Sequence, residues 1–422
     1  MARAPLPSLP PSRSTESVLV GQNAQIRSTE TTFNRRTHHP SAETSLYHPP
    51  PFTMLQTLPN EILNSVFEHF WAEGTYQRDY NTLRALCLVS KDLLPLARAV
   101  LYSEAGMFYR LTPTTRGGEP QAVQDDYRLL LRTLRACPEA AACVRKLDVT
   151  IEFQVELSDN NSSILEPIEA ACELLTLCRD ARTLTLDTPD VAIAAFASRG
   201  LGGQLEEASL QCCSRATVDF LAGAPRLRRL HLTSPRTSAE QHLTPLPFDL
   251  AWLSVEGPLS SSILSSLLTS SSNSLRHLSL NVVGFKPEHP LPSLPELHSL
   301  EIDLGIASPF ECTIVQELFK SATSIHKLTI INYSRTFPLD FLLSLPSHLP
   351  SLDLSRLSRS LPAQTIVEYI STHRGLQELD LGWREMEKGD VEMVEGVCEK
   401  EGVCLTLGMR GPIQFFTHED RE

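Results

Sequence analysis

The side chains best able to do chemistry in this 422-residue chain are its ten cysteines and a few adjacent carboxylates and histidines. Three cysteine pairs, Cys137/Cys143, Cys172/Cys178 and Cys398/Cys404, share a six-residue offset, and Cys212 and Cys213 are neighbours. A structural metal site needs a close Cys or Cys/His pair plus two further ligands, and this offset does not supply one. None of the thiols has an evident partner histidine. They lie in apolar segments and read as buried free thiols in a reducing compartment, without a disulfide framework. His38-His39 falls in a polar stretch. The carboxylate pairs Glu206-Glu207 and Glu385/Glu387 sit in segments with the character of a solvated face. The sequence holds no Gly-rich phosphate loop, no Gly-x-Ser-x-Gly elbow, no His-Glu-x-x-His and no kinase motif set. These residues argue for no catalytic centre, no metal and no cofactor, so the chain is expected not to be an enzyme.

Composition narrows the class. Leucine accounts for 66 residues and proline for 30. Such an excess of leucine over valine and isoleucine speaks against a parallel-sheet enzyme, whose buried strands favour β-branched residues. The formal charge of −13 argues against a nucleic-acid partner, because phosphate affinity needs clustered Lys and Arg. No apolar run reaches the ~18 residues a membrane span needs, so no membrane partner is expected. The longest candidate, Leu259 to Leu275, is interrupted by nine serines and a threonine. The N-terminus has no continuous apolar stretch of the secretory kind. Its five arginines with Ser and Thr faintly resemble a transit peptide, against which stand three glutamates and many prolines. Cytoplasm or nucleus is the expected location.

The elements that would position any site are repeats. An apolar residue, two others, leucine, one other and an apolar residue recur at Leu205–Leu210 (with Ala208 in the leucine place), Leu227–Leu232, Leu250–Val255, Leu275–Leu280, Leu297–Ile302, Ile325–Ile330, Leu349–Leu354 and Leu376–Leu381. Weaker copies lie at Val144–Val149, Ala181–Leu186 and Leu405-Thr406-Leu407. After a first gap of 37, the fourth places are 22 to 28 residues apart, the period of leucine-rich repeats. Alternate strand residues face opposite sides, so the fourth and sixth places point into one shared core. Each fully buried leucine contributes ~1.5–3 kcal/mol. The spacing predicts a curved α/β solenoid of about 10–11 parallel strands, with helical returns at Cys312–Thr323, Pro362–Gly375 and Val391–Glu401. Pro362 suits a first helical turn and Gly375 the place after the last. Asp390 is placed to cap the third return, and Gly402 to end it. Val149, Ile151, Phe153, Val155 and Leu157 alternate for longest and predict an extended strand or hairpin capping the array.

In each unit the third and fifth places would face the concave surface, opposite the leucines. The candidate partner-binding residues there are Arg229, His231, Trp252, His277, Glu301, Asp353, Glu378 and Asp380. Trp252, with His231 and His277 in the neighbouring units, is a candidate aromatic anchor. The second half of this ladder is acidic. Residues 376–422 carry five basic and twelve acidic groups, over half of the net −13, so a basic or extended peptide is the expected ligand of that end.

Ahead of the repeats, Ile62, Leu63, Val66, Phe67 and Phe70 recur at helical steps after Leu58-Pro59-Asn60-Glu61. A second helix is expected over about 82–90 and a third from Lys91 to Leu101-Tyr102. The order Leu58-Pro59-x-Glu61-Ile62-Leu63-x-x-Val66-Phe67, then Leu83-x-x-Leu86-x-Leu88-Val89-Ser90-Lys91, resembles an F-box. The resemblance covers about residues 55–104. It departs from the pattern in a longer connection from Phe70 to Leu83 and in Leu101-Tyr102 where Leu-Trp is usual. It implies binding to the Skp-type adaptor of Skp–cullin–F-box ubiquitin ligases, and through it to a cullin. The repeats would then recruit a protein substrate. By match, Leu58, Pro59, Ile62, Leu63, Leu86, Leu88 and Val89 would contact the adaptor. The implied plan is a disordered tail over 1–53, a three-helix F-box over 54–105, a helical linker or cap over 106–143, the solenoid over 144–410 and an acidic tail over 411–422. Two other classes compete: a leucine-rich-repeat scaffold whose N-terminal helices only cap the array, and a repeat regulator of a small GTPase. The F-box-like segment speaks against the latter.

Overall fold

The computed structural model describes residues 94–408 except 113–120, 125–126, 154–164, 212–213, 234–245, 258–260, 283–290, 306–310, 333–336, 338, 358–360 and 383–385. The tails over 1–53 and 411–422 and the adaptor set Leu58, Pro59, Ile62, Leu63, Leu86, Leu88 and Val89 lie outside the described residues.

The chain runs through α1 (Leu94–Leu101), β1 (Glu104–Thr112), β2 (Gln121–Gln124), α2 (Tyr127–Ala136) and α3 (Pro138–Cys143). Strands and helices then alternate: β3 (Lys146–Phe153), α4 (Leu165–Leu177), β4 (Thr183–Asp187), α5 (Asp190–Ser198), β5 (Glu207–Leu210), α6 (Arg215–Ala222) and β6 (Arg229–Thr233). Next come β7 (Trp252–Glu256), α7 (Ser261–Ser270), β8 (His277–Asn281), β9 (Ser299–Asp303), α8 (Glu311–Ser321), β10 (Lys327–Ile331), α9 (Leu339–Leu343) and β11 (Ser351–Asp353). The last elements are α10 (Ala363–Thr372), β12 (Glu378–Gly382), α11 (Lys388–Glu401) and β13 (Cys404–Leu407). All thirteen strands form one sheet in the order β13 back to β3, then β1 and β2. Among the described strands only the outermost pair, β1–β2, is antiparallel. The result is an α/β repeat array on a long parallel sheet.

The leucine spacing explains this sheet. Leu147, Leu184, Ala208, Leu230, Leu253, Leu278, Leu300, Leu328, Leu352, Leu379 and Leu405 stand opposite one another from strand to strand. Those from Leu147 to Leu379 are at most 1% exposed and belong to one core running from Ala105 to Val403. A second device fixes the register. The carbonyl just before most of the strands accepts two successive amides of the following unit: Arg182 O takes Glu206 N at 2.8 Å and Glu207 N at 3.0 Å. Arg228 O takes Ala251 N and Trp252 N at the same two distances. Buried main-chain groups must be paired, and this ladder pairs them without the asparagine of regular repeats.

The serine-rich return has its own explanation. Ser271 Oγ accepts Leu250 N at 3.0 Å, Ser274 Oγ donates to Leu250 O at 2.9 Å, and Ser270 Oγ accepts Leu246 N at 3.1 Å. Three hydroxyls thus satisfy the irregular backbone that enters β7. On the helical side, Arg128 pairs with Glu166 at 2.5 Å, Arg135 with Glu173, and Arg199 with Glu169 at 2.7 Å, seaming α2 and the turn after α5 to α4. Arg135 holds the Glu173 carboxyl below the usual carboxylate range. Exposed pairs of this kind are each worth roughly 0–1 kcal/mol, so the leucine core carries the stability.

Several expectations are corrected. Residues 106–143 are not wholly helical, because Ala105, Met107, Tyr109 and Leu111 alternate with period two and bury one face of β1. The parallel run is therefore longer than the 10–11 strands the leucine motif predicts, since β1 carries the alternation without the motif. The strand at Val149 does not cap the sheet. β3 lies inside it, between β1 and β4, and the antiparallel β1–β2 pair forms the end. Asp390 is in the first turn of α11, whose N-cap is Glu387. Gly402 does end that helix, with φ 73°. The helix after Pro362 stops at Thr372 with His373 as its cap. Gly375 follows in a close approach, where a Cβ would lie 2.9 Å from Ser347 O.

Candidate partner-binding face

The strand residues that alternate with the leucines share the face of the sheet away from the helices. The structure sets Arg229 opposite Trp252, and Trp252 opposite His277, in successive strands. His231 lies beside Ser254, and the row continues through Ser279, Glu301, Thr329, Asp353 and Asp380. All eight candidate residues are therefore on one face. They divide into two groups: an aromatic and basic group on β6–β8, and an acidic group on β9–β12.

The first group is an aromatic stack. The rings of Trp252 and His277 stack nearly parallel, at 4° and 5.5 Å between centroids, and His231 tilts against the other side of Trp252 at 6.1 Å. Burial pushes the His277 pKa below its ordinary value; Glu301 opposes this and Lys327 adds to it. The imidazole against Trp252 is thus uncharged near neutral pH. His231 Nε2 is 3.8 Å from Glu256 Oε1, and its buried Nδ1 has no hydrogen-bond partner among the described residues. Half-buried aromatics in the centre of a face suit anchoring of a partner side chain.

The acidic group is largely committed within the fold. Asp353 Oδ1 accepts Ser355 N at 2.9 Å and Ser355 Oγ at 2.6 Å, while Asp380 Oδ1 accepts Gly382 N at 2.7 Å. Asp303 makes the same turn with Gly305 N at 2.9 Å. These carboxylates stop their strands in the manner of Asx turns. Glu301 accepts Ser279 Oγ at 3.0 Å and lies 3.5 Å from Arg356. Glu378, at the start of β12, is exposed. That Asp353 and Asp380 also close turns is not legible in the sequence, because those turns involve backbone amides that no side-chain pattern reveals. Sequence reasoning missed a further row just before the strands: Arg228, Arg276, His298 and His326. The second place of the same repeat motif would have found it.

Three of the described cysteines pack in the core. Cys172, Cys178 and Cys398 are buried, and burial raises all three thiols, Cys178 to about 12. Cys404 is exposed. Alkylation of the native protein at about pH 8 is expected to label Cys404 rapidly and the buried three only after denaturation, because the thiolate is the reacting form. Labelling of Cys178 in the folded chain would contradict this placement. Among the described residues no three His, Cys, Asp or Glu side chains converge as a metal site requires, and no helix is long and apolar enough to cross a membrane.

No protein-family model matches the chain, and no curated protein does. Among solved structures it is similar to the crystal structure of the yeast Rad7–Elc1 complex, at 14% identity and a TM-score of 0.34, covering 84% of this chain and 94% of that one. It is likewise similar to a Bacteroides fragilis protein, at 11% identity and a TM-score of 0.34, covering 70% and 88%. Neither likeness assigns a role.

Proposed function

We propose that the chain is the substrate-recruiting subunit of a Skp–cullin–F-box ubiquitin ligase. Residues 54–105 engage the Skp-type adaptor, and the helix-free face of the array engages a protein partner. The observation that carries this reading is the F-box-like order from Leu58-Pro59 to Ser90-Lys91 placed directly ahead of a leucine-rich array. The junction between the two supports it. In α1, Ala97 and Val100 are buried, and Arg98 reaches Glu139 of α3 at 3.0 Å. Ser103 O accepts Arg145 N at 2.8 Å and Lys146 N at 3.0 Å, so the chain passes from α1 into the sheet without a free linker. A receptor needs this rigidity, because whatever the array holds must stay at a set distance from the adaptor. In this reading the chain does no bond chemistry and acts by positioning. The test is purification of the full chain from cells, with mass spectrometry of what accompanies it. A Skp-type adaptor and a cullin are the expected companions, and their absence would contradict the proposal.

A second reading, a repeat scaffold, is favoured by the same docked helix, since α1 covers the first units as a cap would. Deleting residues 1–105 would damage the array in either case, so adaptor binding decides between them.

A further inference from the structure

From β6 to β10, the residues just before and at each strand start read Arg228-Arg229, Ala251-Trp252, Arg276-His277, His298-Ser299 and His326-Lys327. Pairing stacks the second members in order: Arg229, Trp252, His277, Ser299, Lys327. Four of these ten residues are Arg or Lys, three are histidine and none is acidic. Arg228, Arg229, Arg276 and Lys327 are exposed, and none has a carboxylate partner among the described residues. The same edge is neutralised nearer the N-terminus, where Lys146 faces Glu104 at 3.6 Å and Arg182 faces Glu206 at 3.2 Å. Glu207 stands opposite Arg229 in the register but forms no ion pair with it, and Arg228 reaches the main-chain carbonyl of Asp249, at 3.1 Å. An unneutralised basic row thus sits in a chain of net charge −13.

The shape of the row identifies its complement. Phosphate binding needs donors that converge on one point. Here the donors are spread along a line across strands ~4.8 Å apart. A line of single cations matches a line of single carboxylates on an extended peptide. Next to it, the Trp252–His277 stack offers an uncharged flat surface. Of the acids further along the face, by contrast, Asp353 and Asp380 are bound up in turns and Glu301 is held by Ser279.

We infer that an Asp/Glu-rich segment of a protein partner docks across the strand starts of β6–β10. Its carboxylates meet Arg228, Arg229, Arg276 and Lys327, and an apolar side chain rests on the Trp252–His277 stack. The inference rests on the reading that the array engages a protein, and it reverses the basic ligand expected from the net charge of the C-terminal end.

The test uses the full chain and four fluorescent probes of equal length: a Glu-rich peptide with one central Leu, a Lys-rich peptide, a phosphoserine peptide and a single-stranded oligonucleotide. Anisotropy is expected to report binding of the Glu-rich peptide that weakens as salt rises. The Arg229→Glu/Arg276→Glu variant is expected to lose at least tenfold in affinity, and Glu399→Gln, exposed in α11 on the helical side, to lose nothing. Tighter binding of the Lys-rich, phosphoserine or oligonucleotide probe overturns the inference, as does Glu-rich binding that survives the charge reversal. Adaptor capture is scored on the same preparation. Adaptor retained with no Glu-rich binding overturns this inference alone, whereas Glu-rich binding without adaptor overturns the ligase reading alone.

Discussion

Replacing Leu58 and Pro59 together by alanine is expected to abolish capture of a Skp-type adaptor and to leave the unfolding of the repeat array where it was. The expectation follows from how interfaces distribute their energy. A few buried apolar anchors each contribute ~2 kcal/mol or more, while their neighbours contribute little. By the F-box resemblance, Leu58 and Pro59 open the first helix and lead the contact set. Losing two such anchors corresponds to a roughly thousandfold weaker complex. The competing physical account is that these side chains pack the N-terminal helices together. That account predicts a lower melting temperature and a general loss of protein, so thermal unfolding measured beside the capture assay separates the two. The Arg229→Glu variant, on the sheet face, is expected to keep the adaptor.

The largest effect on stability is expected at Gly382. Its φ is 61°, and a Cβ there would lie 2.5 Å from Ser355 Cβ and 2.6 Å from Ser355 Cα. The residue sits at the register shift between β12 and β13, where its amide is held by Asp380. Left-handed backbone costs an L-residue about 1–2 kcal/mol, and forcing atoms into a filled space adds about 1–3 kcal/mol. Gly382→Ala is therefore expected to destabilise the C-terminal units by roughly 2–5 kcal/mol. Stacked repeats are stabilised mainly by their neighbours, so the damage should remain local. Hydrogen exchange is the appropriate measurement. The amides of Leu354, Cys404 and Gly408, which bond to Asp380 O, Gln377 O and Gly382 O, should lose protection before those of β9. Gly396 in α11 gives the opposite sign, because nothing lies within 4 Å of its Cβ position. There Gly396→Ala should stabilise by about 0.4–1 kcal/mol through the unfolded chain. Equal exchange in both variants would contradict the geometry.

The legible parts of this fold are those in which one residue type repeats at one spacing. Leucine at the fourth place sets the register of the strands from β3 to β13, with Ala208 taking that place in β5, because a buried position tolerates few substitutes. Trp252 between His231 and His277 followed from the same register. β1 was not legible as a repeat, since Met107, Tyr109 and Leu111 bury its face by alternation alone. The turns that Asp353 and Asp380 make were not legible, because an Asx turn depends on where two backbone amides point. The basic row at Arg228 and Arg276 was hidden by a similar cause. Its members are tens of residues apart in sequence and adjoin only once the units stack.

The central claim is that residues 54–105 join this array to a Skp-type adaptor. Calorimetric titration of the purified adaptor into the purified full chain tests it most directly. The account predicts a one-to-one complex that the Leu58→Ala/Pro59→Ala variant does not form. Absence of heat with the unaltered chain, or equal binding by the variant, would contradict it.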